Sequence, residues 1–178
     1  MSVKVAINGF GRIGRNILRA SVENNRKDVE VVAINDLGSP EMNLHLLKYD
    51  SVHGRFPLDL SLHKNYLKVN NTEIEITAEK DPAKLPWSEV DVALECTGIF
   101  TDKEKASLHL NNGSKKVLIS APASNVDRTV VFGVNHKSLT STDAIVSNAS
   151  SVPPSDGANP PSSPTAVDKP LSCNNFFK

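Results

Sequence analysis

The feature that most constrains this chain is a glycine pattern near its start. Residues 3–8 read VKVAIN, a short apolar run rich in β-branched residues. Gly9, Phe10, Gly11, Arg12, Ile13 and Gly14 follow at once, matching G-x-G-x-x-G. That spacing is weak evidence alone and gains meaning between a strand and a helix. Gly9 permits a tight turn out of the strand, Gly11 lets backbone approach a pyrophosphate, and Gly14 lets the helix pack closely on the sheet. Exposed N–H groups and the positive dipole end of the helix then face the phosphates. A parallel α/β sheet is the architecture that supplies this context.

The rest of the first 150 residues keeps that alternation. Residues 11–24 predict a helix with Ile13, Ile17 and Ala20 on one face. Residues 30–35 predict a second strand, and 41–48 a helix whose start is marked by Ser39 and Pro40. Across 56–77, Leu58, Leu60, Leu62, Leu67, Val69, Ile74 and Ile76 alternate with polar residues, the pattern of small antiparallel strands with one wet face. Residues 90–96, 116–120, 129–133 and 144–148 predict further core strands, six in all with the first two, and 101–110 a helix with Ala106 and Leu110 on one side. The expected fold is a doubly wound Rossmann-type parallel sheet with a small antiparallel insertion.

Composition changes near Ser150. Six of the 11 prolines (Pro153, Pro154, Pro160, Pro161, Pro164 and Pro170) fall in the last segment. Each removes a backbone donor and restricts its predecessor, so residues 151–178 are expected to be a disordered Pro/Ser-rich tail behind a domain of residues 1–150. The chain's 178 residues suit one domain with a proper core. Twenty Lys and Arg balance 20 Asp and Glu, which argues against a nucleic-acid or anionic-membrane partner. No apolar run approaches a membrane span. The start carries no signal-peptide pattern, so a cytoplasmic location is expected. Cys96 and Cys173 make no metal-ligand spacing, and neither a metal site nor a disulfide framework is expected.

The second strand ends in Asn35 and Asp36, and from Gly14 to Asp36 is 22 residues, near the separation expected of an acid that binds an adenosine ribose. A carboxylate there accepts from both ribose hydroxyls and repels a 2′-phosphate, favouring NAD over NADP. The competing reading is a simple cap for the turn at Gly38, Ser39 and Pro40; spacing and strand context favour the ribose. Thr97 and Ser120 also stand at predicted strand ends, where ligands of such sheets bind, but the residues alone read equally as turn or cap positions.

Together these segments resemble a known family. VKVAINGFGRIGRN, VVAIND, YDSVHGRF, ECTGIFTDKEKA, KVLISAP, GVNH and IVSNAS occur in order, similar to glyceraldehyde-3-phosphate dehydrogenases, the bacterial-type members in particular. The likeness runs from Val3 to Ser150, the cofactor half of that family. It implies that the Gly9–Gly14 loop, with the backbone of Arg12 and Ile13, meets the pyrophosphate of NAD and that Asp36 meets the adenosine ribose. It places Lys80 at the adenine pocket, Thr97, Gly98 and Ser120 near the nicotinamide ribose, and Ser150 beside the substrate phosphate.

The resemblance also shows what is missing. The family continues with a catalytic cysteine where this chain has Ser151, and the base histidine and substrate domain lie further on. A cysteine thiol near pKa 8.5 is readily activated, whereas a serine hydroxyl needs a positioned base. No catalytic residue is therefore assigned. His45, His53, His63, His109 and His136 read as surface or packing residues, Cys96 as a core residue, and Cys173 has no evident role. Three readings stay open: the cofactor domain of a phosphorylating aldehyde dehydrogenase, inactive alone; a non-catalytic NAD-binding module that engages full-length subunits; and a defective truncated product.

Overall fold

The computed structural model describes residues 2–148. The tail expected to be disordered, and with it Ser150, Ser151 and Cys173, lies outside the described residues.

Strand β1 (Val3–Asn8) leads through the glycine loop into helix α1 (Arg12–Glu23), and strand β2 (Val29–Asn35) returns parallel to β1. Pairing slips by one residue between Val5 and Ala6, which face Val31 and Ala33. Helix α2 (Pro40–Lys48) starts as expected: Ser39 accepts from the Met42 N–H at its cap, and Pro40 occupies the first turn. A two-stranded antiparallel ribbon follows, β3 (Tyr49–Asp50) with β4 (Gly54–Arg55). Strands β5 (Leu60–His63), β6 (Tyr66–Val69) and β7 (Thr72–Thr77) form an antiparallel meander. Then come β8 (Val92–Glu95), the short helices α3 (Lys103–Ala106) and α4 (Leu108–Asn111), β9 (Lys116–Ile119), β10 (Arg128–Thr129) and β11 (Ile145–Ser147).

The main sheet runs β10-β11-β9-β8-β1-β2-β7-β6-β5. Seven of its strands are parallel neighbours, from β10 across to β7. The doubly wound α/β expectation holds. The small antiparallel insertion expected over 56–77 is present as the meander and extends this sheet, because β7 pairs with β2 in parallel before turning antiparallel with β6.

Strand alternation divides the core into two layers. Val5 and Ile7 enter one cluster with Leu18, Ile34, Leu47, Phe56, Leu67, Ile74 and Leu94. Ala6 enters the other with Ala33, Trp87, Ala93, Ala106, Val117, Ile119 and Ile145. Cys96 is half-buried against the first cluster, in line with its expected core role.

Three sequence expectations need correction. The inward face of α1 is Gly14 with Leu18 and Arg19, whereas Ile13 is 48% exposed and Ile17 only partly buried. The predicted helix over 101–110 is broken at Ser107, whose hydroxyl donates to the Glu104 carbonyl. The predicted strand over 129–133 stops at Thr129. There the Asn135 side chain accepts from Val131 N and donates to the Thr129 carbonyl, taking the backbone groups a ladder would need, and Gly133 turns the chain at φ +87°.

The edge strand β10 is tied to the β11 side by a charge clamp. Arg128 Nε donates to Asp143 Oδ2 at 2.8 Å, and Thr140 N donates to the same oxygen. The arginine bond, then the backbone bond, holds the Asp143 carboxyl down at about 2. A depressed carboxylate stabilises the fold above its ordinary range and loses that contribution as pH falls through the folded value. Asp143→Asn should therefore lower the melting temperature at pH 7 and flatten its decline between pH 4 and 2; an unchanged acid limb would contradict the clamp. Leu18→Ala should cost about 2–5 kcal/mol in denaturant unfolding, as buried leucine truncations do. Ile13→Ala should stay within about 0.5 kcal/mol.

Candidate functional site

Strand order reverses at β1, whose neighbours are β2 on one side and β8 on the other. Ligands of such sheets bind outside the carboxyl ends of the strands at this reversal. Five segments that carry the sequence-predicted residues leave from that edge: the loop after β1, the turns after β2 and β7, the turn after β8, and Ser120 after β9.

The glycine loop is fixed by contact. Gly9 has φ +92°, and a Cβ there would sit 2.7 Å from Thr97 N and 2.8 Å from the Cys96 carbonyl carbon. A Cβ at Gly14 would lie 2.3 Å from the Gly9 carbonyl oxygen. At Gly11 the same test meets nothing within 4 Å. Two glycines thus serve close packing and the middle one faces open space. Gly11 is the α1 cap residue with no side-chain bond, and the first turn carries no acid. The first N–H groups of a helix lack intrahelical partners, so this end is open to an anion. Arg15 Nη1 donates to the Phe10 carbonyl at 2.8 Å and steadies the loop from below. Burial, with the nearby Arg12 guanidinium, pulls Arg15 below the ordinary arginine range.

Asp36 joins two of these segments. Its Oδ2 accepts from Phe10 N at 2.7 Å, while Oδ1 accepts from Gly38 N at 2.8 Å and from Asn43 Nδ2 at 3.4 Å. It caps the turn and also pins the glycine loop, with one carboxylate lone-pair site beyond those three bonds. Lys80 is exposed on the turn after β7. Arg12 points away from the loop, Nη1 lying 3.4 Å from Asp50 Oδ2 on the β3–β4 ribbon. The Asp50 carboxyl is held well below the usual range by the His53 amide, then by the Val52 amide.

Sequence reasoning missed a set of buried polar residues beneath this edge. Asn8, Asn35, Glu95 and His109 are all at most 4% exposed. Asn35 Nδ2 donates to Asn8 Oδ1 and to the Glu79 carbonyl, both at 2.8 Å, and Asn8 Nδ2 donates to Glu95 Oε2 at 2.7 Å. His109 Nε2 lies 2.9 Å from the same Glu95 oxygen, its ring stacked on Trp87. Glu95 Oε1 accepts from Thr97 N at 2.9 Å and from the Thr97 hydroxyl. The only sequence signal was a polar residue ending each of three apolar strands. His109 is a packing histidine; His45, His53 and His63 are exposed and His136 half-buried.

Residues 3–103 match the family described as glyceraldehyde 3-phosphate dehydrogenase, NAD binding domain. The chain belongs to the glyceraldehyde-3-phosphate dehydrogenase family. It carries that family's NAD-binding domain. Among similar proteins, the glyceraldehyde-3-phosphate dehydrogenase of Cereibacter sphaeroides is 61% identical over 150 residues, covering 84% of this chain and 45% of the relative. That of Xanthobacter flavus is 59% identical over 152 residues, with the same coverage. That of Geobacillus stearothermophilus is 54% identical over 153 residues, again 84% of this chain and 45% of the relative. The chain therefore spans about half the length of these relatives.

Among the described residues, no group of three or more His, Cys, Asp and Glu side chains could hold a metal ion. No helix there is long and apolar enough to cross a membrane.

The glycine geometry separates folding from binding. Gly14→Ala should lower the melting temperature markedly, since its Cβ would collide with backbone. Gly11→Ala should melt like the parent and weaken NAD alone. Equal melting temperatures for the two variants would contradict this division.

Proposed function

We propose that this chain holds NAD across the carboxyl edge of β2, β1, β8 and β9, as the cofactor half of a phosphorylating aldehyde dehydrogenase. The observation that carries the reading is the uncapped, side-chain-free start of α1 at Gly11, with Asp36 bonded to the same loop. The pyrophosphate lies over Gly9, Phe10, Gly11, Arg12, Ile13 and Gly14, where N–H groups and the helix dipole offset its charge. The adenosine ribose faces Asp36, whose remaining acceptor site suits a ribose hydroxyl and whose charge opposes a 2′-phosphate. Lys80 borders the adenine. Thr97, Gly98 and Ser120 border the nicotinamide ribose. Residues 1–150 form this domain, residues 151–178 a tail, and the setting is the cytoplasm. Neither nucleic acid nor a membrane is a partner, which the zero net charge supports.

The relatives' named substrate, glyceraldehyde 3-phosphate, is bound and oxidised only with parts that residues 1–148 do not supply. The likeness of IVSNAS to the family supports the reading that Ser150 borders the substrate phosphate and that Ser151 replaces the nucleophile. Assayed as this 178-residue polypeptide, the protein binds NAD without reducing it. A second reading rests on exposed apolar side chains around α2 and the ribbon, Leu37, Met42, Tyr49 and Val52, the last 73% exposed. They favour docking onto full-length subunits of the family, which co-elution with intact enzyme would reveal.

Calorimetric titration with NAD tests the main reading. Saturable binding is expected, weakened about tenfold or more, roughly 1.4 kcal/mol, by Asp36→Ala. NADP should bind more weakly than NAD. Heat-free titration of folded protein, or NADH formed from glyceraldehyde 3-phosphate, phosphate and NAD, would overturn it.

A further inference from the structure

The four strand ends beneath the proposed site are joined by one continuous run of side-chain hydrogen bonds. It starts at the turn after β7, where the Glu79 backbone and the Thr77 hydroxyl both bond the Asn35 side chain. It passes from Asn35 on β2 to Asn8 on β1, and from Asn8 to Glu95 on β8. Glu95 closes it on His109 and on Thr97. Each strand in this run carries, within a few residues, one segment of the proposed NAD site: Lys80, Asp36, Gly9 and Thr97.

We propose that Glu95 is a positioning residue: its buried carboxylate fixes the Thr97–Ile99 turn and thereby the nicotinamide-bearing half of the cofactor. This rests on the reading that the carboxyl edge holds NAD.

A carboxylate offers about four acceptor sites. Four donors fill those of Glu95: Asn8 Nδ2, His109 Nε2, Thr97 N and Thr97 Oγ1. Nothing is left over for a ligand, and at 1% exposure the side chain cannot reach one. Its influence runs through Thr97. Because the Thr97 hydroxyl donates to Glu95, its lone pairs face away, and one accepts from Ile99 N at 3.1 Å. This orders a turn that passes through Gly98 at φ +73°. The turn also abuts the phosphate loop, since Thr97 N and the Cys96 carbonyl carbon occupy the space beside Gly9.

Stability does not explain such a group. A buried charged residue is costly to desolvate, and apolar residues of similar volume usually hold a core as well. What the carboxylate supplies is direction, because it accepts at every site and so forces each neighbour to donate. Glutamine would break that rule. Its amide N–H₂ must face either the Thr97 N–H or the donors of Asn8 and His109. Turning Asn8 over would only pass the mismatch to Asn35.

The test uses the full chain and two nucleotides. ADP reaches the phosphate loop and adenosine side, and NAD adds the nicotinamide riboside. In Glu95→Gln, ADP affinity should stay within about twofold of the parent, while NAD affinity falls about tenfold. Equal weakening of both, or undiminished NAD affinity, would overturn the proposal. Thr97→Val leaves the carboxylate bonded to Asn8, His109 and Thr97 N but removes the hydroxyl. It should give the same selective loss and faster hydrogen exchange at the Ile99 amide, and it decides the matter where Glu95→Gln does not fold. Parent protein that binds neither nucleotide sinks the NAD reading and this inference with it. Parent protein that binds both, with variants weakened alike for each, sinks this inference alone.

Discussion

Helix α1 lies on β1 at a separation that a side chain at position 14 would forbid. Its Cβ would come within 2.3 Å of the Gly9 carbonyl oxygen, deep inside any van der Waals contact. Much else depends on that approach. It brings Leu18 into the first core cluster and sends Arg19 between α2 and the ribbon, where it donates to the Leu47 and Gly54 carbonyls. It also aims the α1 N-terminus at the crevice where strand order reverses. Core packing and the open helix end proposed to take the pyrophosphate are thus one geometric solution, and the glycine pattern was informative because it is a local cause of both.

What the sequence revealed follows the range of the interactions. The glycine loop, the Ser39–Pro40 helix start and the 22-residue separation to Asp36 are local patterns, and each occupies its expected place in the structure. The α1 face was misread because residues 13–22 admit two apolar registers, one through Ile13 and Ile17 and one through Leu18 and Val22. Only the tight approach at Gly14 chooses between them. The break at Ser107 and the early end at Thr129 come from single polar side chains capturing backbone groups, an effect that apolar periodicity does not register. Asn8, Asn35, Glu95 and His109 were invisible for a different reason. Their bonds join residues 14 to 87 positions apart, and an asparagine ending a strand looks the same whether it turns the chain or crosses to a neighbour.

Asp36 is a turn cap, and the same carboxylate also reaches the glycine loop. It accepts from Gly38 N within its own turn and from Phe10 N on the loop from β1. The second bond is what sets a carboxylate on the β2 turn at a fixed position against the loop from β1. An acid that merely ended its own strand would leave the Gly9 N to Asn35 carbonyl bond as the backbone tie between the two segments beyond the ladder. Preorganisation of this kind limits the entropy lost when a ligand must be met by several loops at once.

The two ends of the sheet are held by different physics. At the amino end, apart from the Arg128–Asp143 clamp, the charged contacts are mostly exposed pairs such as Lys4 with Glu89 and Lys115 with Asp91. Pairs of that sort contribute about 0–1 kcal/mol. The apolar layers beneath carry that end. At the carboxyl end, amides, a carboxylate and an imidazole stand where apolar groups of similar volume would serve a core as well, and their net contribution to stability is small once desolvation is counted. A sheet selected for stability alone would have both ends alike. The asymmetry concentrates the buried side-chain network where loops must hold a fixed arrangement, and leaves the non-directional hydrophobic effect to hold most of the rest.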